Sequence, residues 1–258
     1  MRATTLTQIN QPVESGLHGE IRCAQCPIRD RAVCAHCDSD QLLLLEQAKF
    51  HRSFDPGQAI IWEGDRMDFV ASVVSGVATL TQTMDDGRTQ MVGLLLPSDF
   101  LGRPGRGRAA YNATAATRVE LCCFRRKPFD ELMRYLPQVG QRLLEMTLDE
   151  LDAAREWMLL LGRKTAREKI ASFLSLIARR SASMEKRSPG GRMEIELPLT
   201  REAMADYLGL TLETVSRQIS ALKRDGVIAL NGKRGVIVPD YARLVEESGD
   251  DADGGLLV

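Results

Sequence analysis

LTREAMADYLGLTLETVSRQISALKRDGVIALNGKRGVIV, residues Leu199–Val238, reads as two short helices followed by a hairpin. Thr200 can cap the first helix, whose apolar face is Ala203, Met204 and Leu208. Gly209 ends it, because glycine accepts the left-handed conformation that closes a helix. Thr211 can cap a second helix over Leu212–Asp225, which Gly226 stops. Two helices joined by a tight glycine-containing turn form a helix-turn-helix. Val227–Leu230 and Val236–Val238 then flank Asn231-Gly232-Lys233-Arg234-Gly235, a hairpin with a basic tip. The stretch is therefore a winged helix-turn-helix.

On the second helix, Val215, Ile219 and Leu222 recur at i, i+4 and i+7 and should point inward. Glu213, Ser216, Arg217 and Ser220 take the opposite face. A recognition helix sets its first turns into the DNA major groove. There an arginine can grip guanine O6 and N7, and a glutamate can accept from cytosine N4. Lys223, Arg224, Lys233 and Arg234 suit phosphates, which position a duplex without specifying its sequence. The competing reading is a small helical packing domain with solvent-facing Glu and Arg. Charge favours DNA. The chain has 258 residues and a net charge of −1, yet Arg163–Arg243 holds 16 Lys+Arg against 9 Asp+Glu. A basic block inside a near-neutral chain suits a polyanion.

Upstream, Ser181–Arg192 is a polar linker and Lys164–Arg180 a further helix. Gln138–Gly162 contains no proline, and Gly140, Leu144, Thr147, Leu151, Ala154, Met158 and Leu161 recur in alternating steps of three and four. That is the seam of a two-helix coiled-coil contact. A helix of about 25 residues spans ~37 Å, more than a small domain needs. A symmetric homodimer is expected, the alternative being a helix packed on its own domain. From His51 to Phe124 the chain is β-rich, with strands expected at Ala59–Trp62, Phe69–Val74, Val77–Thr83, Gln90–Leu96 and Thr114–Phe124. Turn signals at this spacing predict a sandwich or barrel, and Asp86-Gly87 predicts a hairpin. A short apolar helix is expected at Asp40–Phe50.

Four of the six cysteines, Cys23, Cys26, Cys34 and Cys37, form two C-x-x-C pairs. Cys122 and Cys123 stand side by side. No export signal is evident, and no apolar run approaches the ~20 residues that span a bilayer, so a cytoplasmic protein without membrane contact is expected. Cytosolic thiols stay reduced. Thiolates so spaced can converge on one soft metal ion or on an iron–sulfur cluster. Zinc ribbons separate their pairs by about 15–20 residues, and here seven intervene. Neighbouring residues of a strand face opposite ways, so Cys122 and Cys123 should not both reach one site. The three histidines, His18, His36 and His51, make no catalytic set, and no enzyme activity is expected.

Over nearly its whole length the chain resembles the CRP/FNR family of bacterial transcription regulators. Leu208-Gly209-Leu210-Thr211-Leu212-Glu213-Thr214-Val215-Ser216-Arg217 carries the resemblance most specifically. Glu213, Ser216 and Arg217 match the base-reading trio of the FNR branch, which implies a TTGAT-type half-site within an inverted repeat of double-stranded DNA. The C-x2-C-x7-C spacing is similar to the FnrN/FnrL-type subgroup. It implies an oxygen-labile [4Fe–4S] cluster held by Cys23, Cys26, Cys34 and a fourth cysteine from the β-domain. Alignment on Pro128–Leu132 and Pro137 places Cys122 there, with Cys123 and Cys37 as alternatives. RNA polymerase is the further partner implied. The chain departs from the family at Ala154, where an acidic residue is usual. It also lacks, around Gly102-Arg103 and Ala109–Thr114, the acid and arginine pair with which the cyclic-AMP branch holds its nucleotide.

The expected fold is α+β: an N-terminal double-stranded β-helix of jelly-roll, cyclic-nucleotide-binding-like type, a long dimerisation helix and a C-terminal winged helix-turn-helix. The expected divisions are a cysteine-rich segment and short helix over 1–50, the β-roll over 51–136, the dimer helix over 137–163, the DNA-binding domain over 164–245 and an acidic flexible tail over 246–258. A zinc-bearing or ligand-gated regulator of the same family is the alternative, and an iron–sulfur electron carrier or enzyme a more distant one.

Overall fold

The computed structural model describes residues 21–250. Helix α1 (Ser39–Ala48) opens on a capping box. The Asp38 carboxylate accepts from the Gln41 backbone at 2.9 Å, and the Gln41 side chain accepts from the Asp38 N–H at 3.1 Å. Eight strands follow: β1 (Lys49–Phe54), β2 (Ala59–Ile61), β3 (Phe69–Ser75), β4 (Ala78–Thr83), β5 (Thr89–Leu95), β6 (Phe100–Leu101), β7 (Asn112–Ala115) and β8 (Val119–Arg125). They form two antiparallel four-stranded sheets, ordered β1-β8-β3-β6 and β2-β7-β4-β5. Ala71, Val73, Ala113, Val119 and Leu121 close the interior between them. This is the expected β-roll.

Several elements differ from expectation. Lys49 and Phe50 belong to β1, not to the preceding helix. The single strand expected at Thr114–Phe124 is two, β7 and β8, separated by a turn at Ala116–Arg118. That turn closes on another: a Cβ on Gly76 would lie 2.0 Å from the Arg118 carbonyl, and Gly76 has φ +81°. Only glycine fits such an approach.

Helix α2 (Arg126–Tyr135) leads into α3 (Pro137–Arg163), which starts on proline as helices tolerate. Leu144, Leu151 and Met158 of the expected seam are exposed, and Leu148 and Leu159 widen the apolar strip. No membrane-crossing helix exists among the described residues.

Helix α4 (Ala166–Met184) continues into the expected polar linker, so that linker begins later. Strand β9 (Met193–Glu196) was not expected; it pairs with the wing. Helices α5 (Arg201–Leu208) and α6 (Leu212–Arg224) carry the predicted caps. The Thr200 hydroxyl accepts from Ala203 N–H at 3.1 Å and that of Thr211 from Thr214 N–H at 3.2 Å, while Gly209 is left-handed. Strands β10 (Ala229–Asn231) and β11 (Gly235–Val238) form the wing hairpin, and α7 (Tyr241–Ser248) is the last element among the described residues. Glu246 and Glu247, expected in an acidic tail, lie within α7, and Ser248 is buried. The polar segment over 1–20 and residues 251–258 lie outside the described residues.

One continuous apolar core joins the two halves. Val77, Met91 and Leu96 of the β-roll share it with Phe173, Met204, Val215 and Leu244. Trp157 of α3 stacks on Tyr207 of α5 at 4.0 Å.

Candidate metal centre and nucleic-acid interface

The cysteine segment forms a flap over the outer face of the β1-β8-β3-β6 sheet. A short 3-10 turn covers Cys23–Gln25. Arg29 then gathers the loop: its guanidinium donates to the carbonyls of Cys34 at 3.0 Å, Ala35 at 2.8 Å and Cys37 at 2.5 Å. Lys49 donates to the Ile21 carbonyl, and the Cys23 N–H donates to Glu46 at 3.2 Å. Val33, Cys23 and Cys37 pack with Val70 and Phe124, while Ile28 and Ala32 pack with Val74.

Strand β8 sorts its two cysteines. Cys123 is fully buried inside the β-roll with Ala71 and Leu121. Cys122 faces the flap, where it packs in the apolar groups that contain Cys23, Cys26, Cys34 and Cys37. Burial raises every one of these thiols. Cys34 is pushed up to about 12 by burial and then by neighbouring Cys26. Cys122 is raised still further, by burial and by Cys123, Cys23 and Cys26. Cys123, also buried, is pushed up to about 12, and its other influence is Arg52 rather than the flap. All six cysteines are free. Among the described residues, no three Cys, His, Asp or Glu side chains stand close enough to share a single metal ion. The donors are soft thiols whose pKa values burial raises, and such groups bind a metal as thiolates, deprotonating when a cation supplies the compensating charge.

The flap touches other elements. Arg142 of α3 donates to the Arg31 carbonyl at 2.8 Å, and His36 lies 3.6 Å from Glu145 of α3. Met184 of α4 packs against the Ile28 group, and Lys186 pairs with Asp30 at 2.6 Å. Asp99, on the turn before β6, binds Arg180 of α4 at 2.9 Å. A cavity of about 600 Å³ lies between the β-roll and α3, lined by Arg31, Asp99, Tyr111, Arg142 and Glu150. Arg103, Arg106 and Arg108 reach it from an exposed loop.

At the other end of the molecule, Val215, Ile219 and Leu222 are buried as expected. Glu213, Ser216, Arg217 and Ser220 are all exposed on the opposite face of α6. The Ser220 hydroxyl donates to the Ser216 carbonyl at 2.8 Å, so it bends back onto the helix. The Glu213 carboxyl is held below its usual range by its own backbone N–H and then by the Thr211 hydroxyl. Lys233 stands exposed at the wing tip, whereas Arg234 is half-buried and reaches toward the Pro198 carbonyl at 3.5 Å. Sequence reasoning did not find the clamp that orients α6. Arg167 of α4 donates to Glu247 at 2.6 and 2.8 Å and to Asp225, the C-cap of α6, at 2.7 Å. Its partners lie 58 and 80 positions away, beyond any local pattern.

A β-roll under a thiol-rich flap, joined by a long helix to a winged helix-turn-helix, defines a DNA-binding protein with a second domain built onto its reading head. Comparison with known proteins agrees. Residues 168–247 match the Crp-like helix-turn-helix domain and residues 51–135 the cyclic nucleotide-binding domain. The chain is 73% identical to the transcriptional activator protein FnrL of Cereibacter sphaeroides, over 92% of this chain and 96% of that protein. It is 28% identical to the transcriptional activator protein Anr of Pseudomonas protegens, over 95% of this chain and all of that protein. The structure of FixK2 from Bradyrhizobium japonicum superposes with a TM-score of 0.68 at 31% identity, covering 77% of this chain and 96% of that one. The chain belongs to the CRP/FNR family, FNR branch, and is a DNA-binding transcriptional activator of FNR type.

The Arg167 clamp has a defined pH dependence. Its hydrogen bonds hold the Glu247 and Asp225 carboxyls below their usual range. Depressed carboxyls stabilise the fold above their unfolded pKa values, and the contribution is lost as pH falls through the folded ones. Arg167→Met should therefore lower the melting temperature at neutral pH, and the gap to the parent should close as pH falls below about 4. Thermal melts across that range check it.

Proposed function

We propose that this activator is oxygen-responsive through a [4Fe–4S] cluster held by Cys23, Cys26, Cys34 and Cys122. The observation that carries the reading is the sorting on β8, which turns Cys122 to the flap and Cys123 into the core. Cys37 shares the flap and is the spare thiol. A bound cluster would supply an oxygen-sensitive bond between flap and strand. Zinc fits less well: zinc ribbons separate their C-x-x-C pairs by about 15–20 residues, whereas Cys26 and Cys34 have seven residues between them. A cluster spreads its thiolates over several irons.

The chain's own residues then connect flap to DNA. Arg142 and Glu145 fasten the flap to α3. The exposed strip Leu144, Leu148, Leu151 and Met158 on that helix suits a second copy of the chain. An ordered flap braces α3 for pairing, and pairing sets two recognition helices about 34 Å apart, one DNA turn. Dimerisation adds to affinity by mass action. The exposed Asp152, which flanks the strip, would oppose pairing with its copy when the flap is loose. At the DNA, Glu213, Ser216 and Arg217 read a TTGAT-type half-site of an inverted repeat, and Lys233 binds phosphate. The exposed turn at Asp85-Asp86-Gly87 is available to RNA polymerase in the cytoplasm.

Protein prepared under nitrogen should be brown, contain about four irons per chain, and bind the inverted repeat as a dimer. Admitting air should bleach it, dissociate it and release the DNA. Colourless protein with stoichiometric zinc and air-indifferent DNA binding would overturn the reading.

Two substitutions separate reading from anchoring. Arg217→Ala should cost about 1–3 kcal/mol on the preferred site and relax base choice at one position. Lys233→Ala should weaken all sequences alike and reduce the salt slope by about one. Binding isotherms on matched and mismatched duplexes at several salt concentrations check both.

A further inference from the structure

The outer face of β3 carries Val70, Ser72 and Val74, alternating with Ala71 and Val73, which enter the β-roll core. Val70 lies under the Cys23–Cys37 side of the flap and Val74 under Ile28 and Ala32. Between these two valines stands one hydroxyl. Ser72 is 2% exposed, and its Oγ has no hydrogen-bond partner among the described residues. The β3–β8 register sets Ser72 directly opposite Cys122. Residues directly opposite share a sheet face, with Cβ atoms about 4.5–5.5 Å apart. On its other side Ser72 pairs with Phe100 of β6, whose ring offers no acceptor.

A buried hydroxyl without a partner destabilises a fold, and each such group needs an explanation. Alanine would fill the position without that cost. A protonated thiol is a weak acceptor, whereas a metal-bound thiolate is a strong one. We propose that Ser72 is a positioning residue of the metal centre, whose Oγ–H donates to the Cys122 sulfur once that sulfur is a ligand. The inference rests on the cluster reading above. Hydrogen bonds to cluster sulfurs shift the potential. By drawing off negative charge, this bond would disfavour oxidation and slow loss of the cluster in air.

The test compares the full-length parent with Ser72→Ala, both loaded under nitrogen and then exposed to air while the visible absorbance is followed. Ser72→Ala should load but lose its colour roughly tenfold faster, the scale on which partners of metal ligands act. Metal-free Ser72→Ala should melt at or above the parent, because it deletes an unsatisfied group. Equal bleaching rates would overturn the inference while leaving the cluster reading intact. Metal-free Ser72→Ala melting well below the parent would also overturn it, since the hydroxyl would then serve the fold. A parent that holds no iron at all would bring down the cluster reading, and this inference with it.

Discussion

The pleat of β8 is the constraint on which the rest depends. Consecutive side chains of a strand leave opposite faces, so Cys122 and Cys123 cannot act together. The β3 register decides which faces which way: Ala71 pairs with Cys123 inside the roll, and Ser72 with Cys122 beneath the flap. A one-residue slip would exchange their places. That slip is resisted from both sides, because the inner set Ala71, Val73, Leu121 and Cys123 is fully buried in the core. The strand thus delivers one thiol to the flap with the precision of a packed interior.

A flap fastened to that strand is well placed to influence the reading head. It is tied to α3 through Arg142 and His36, and to the end of α4 through Met184 and Lys186. Helix α4 in turn is the buried spine of the DNA-binding module, and Arg167 on it clamps the C-terminal end of α6. The two halves also share a core, with Trp157 stacked on Tyr207. Burial and the neighbouring Asp99 raise the Tyr207 hydroxyl pKa, so the ring stays neutral within that contact. The exposed pair Lys186–Asp30 adds little by itself; the apolar contacts and the partly buried Asp99–Arg180 pair carry the connection.

Much of this was legible in the sequence because it is written in local chemistry. Thr200, Thr211 and Gly209 are caps, and their signals need no tertiary context. The face of α6 follows from a period of 3.6. What escaped depends on distant partners. Strand β9 is four residues beside a polar linker, and it exists because β11 offers it an edge. Strand β6 is two residues, and β1 is half-buried along most of its length, so neither shows a clean alternation. Ser72 looks like any serine in a β-rich run until the register sets it against Cys122. The choice between Cys122 and Cys123 rested on resemblance, because a Cys-Cys pair alone carries no sign of which side is inner.

Ligation by Cys122 is what would join the flap to the strand. Native mass spectrometry under nitrogen tests it most directly, with Cys122→Ser, Cys123→Ser and Cys37→Ser compared with the parent. The parent, Cys123→Ser and Cys37→Ser should each carry the added mass of one four-iron, four-sulfide group per chain, and Cys122→Ser should not. A Cys122→Ser chain that retains the full added mass, with the loss appearing in Cys123→Ser or Cys37→Ser, would contradict it.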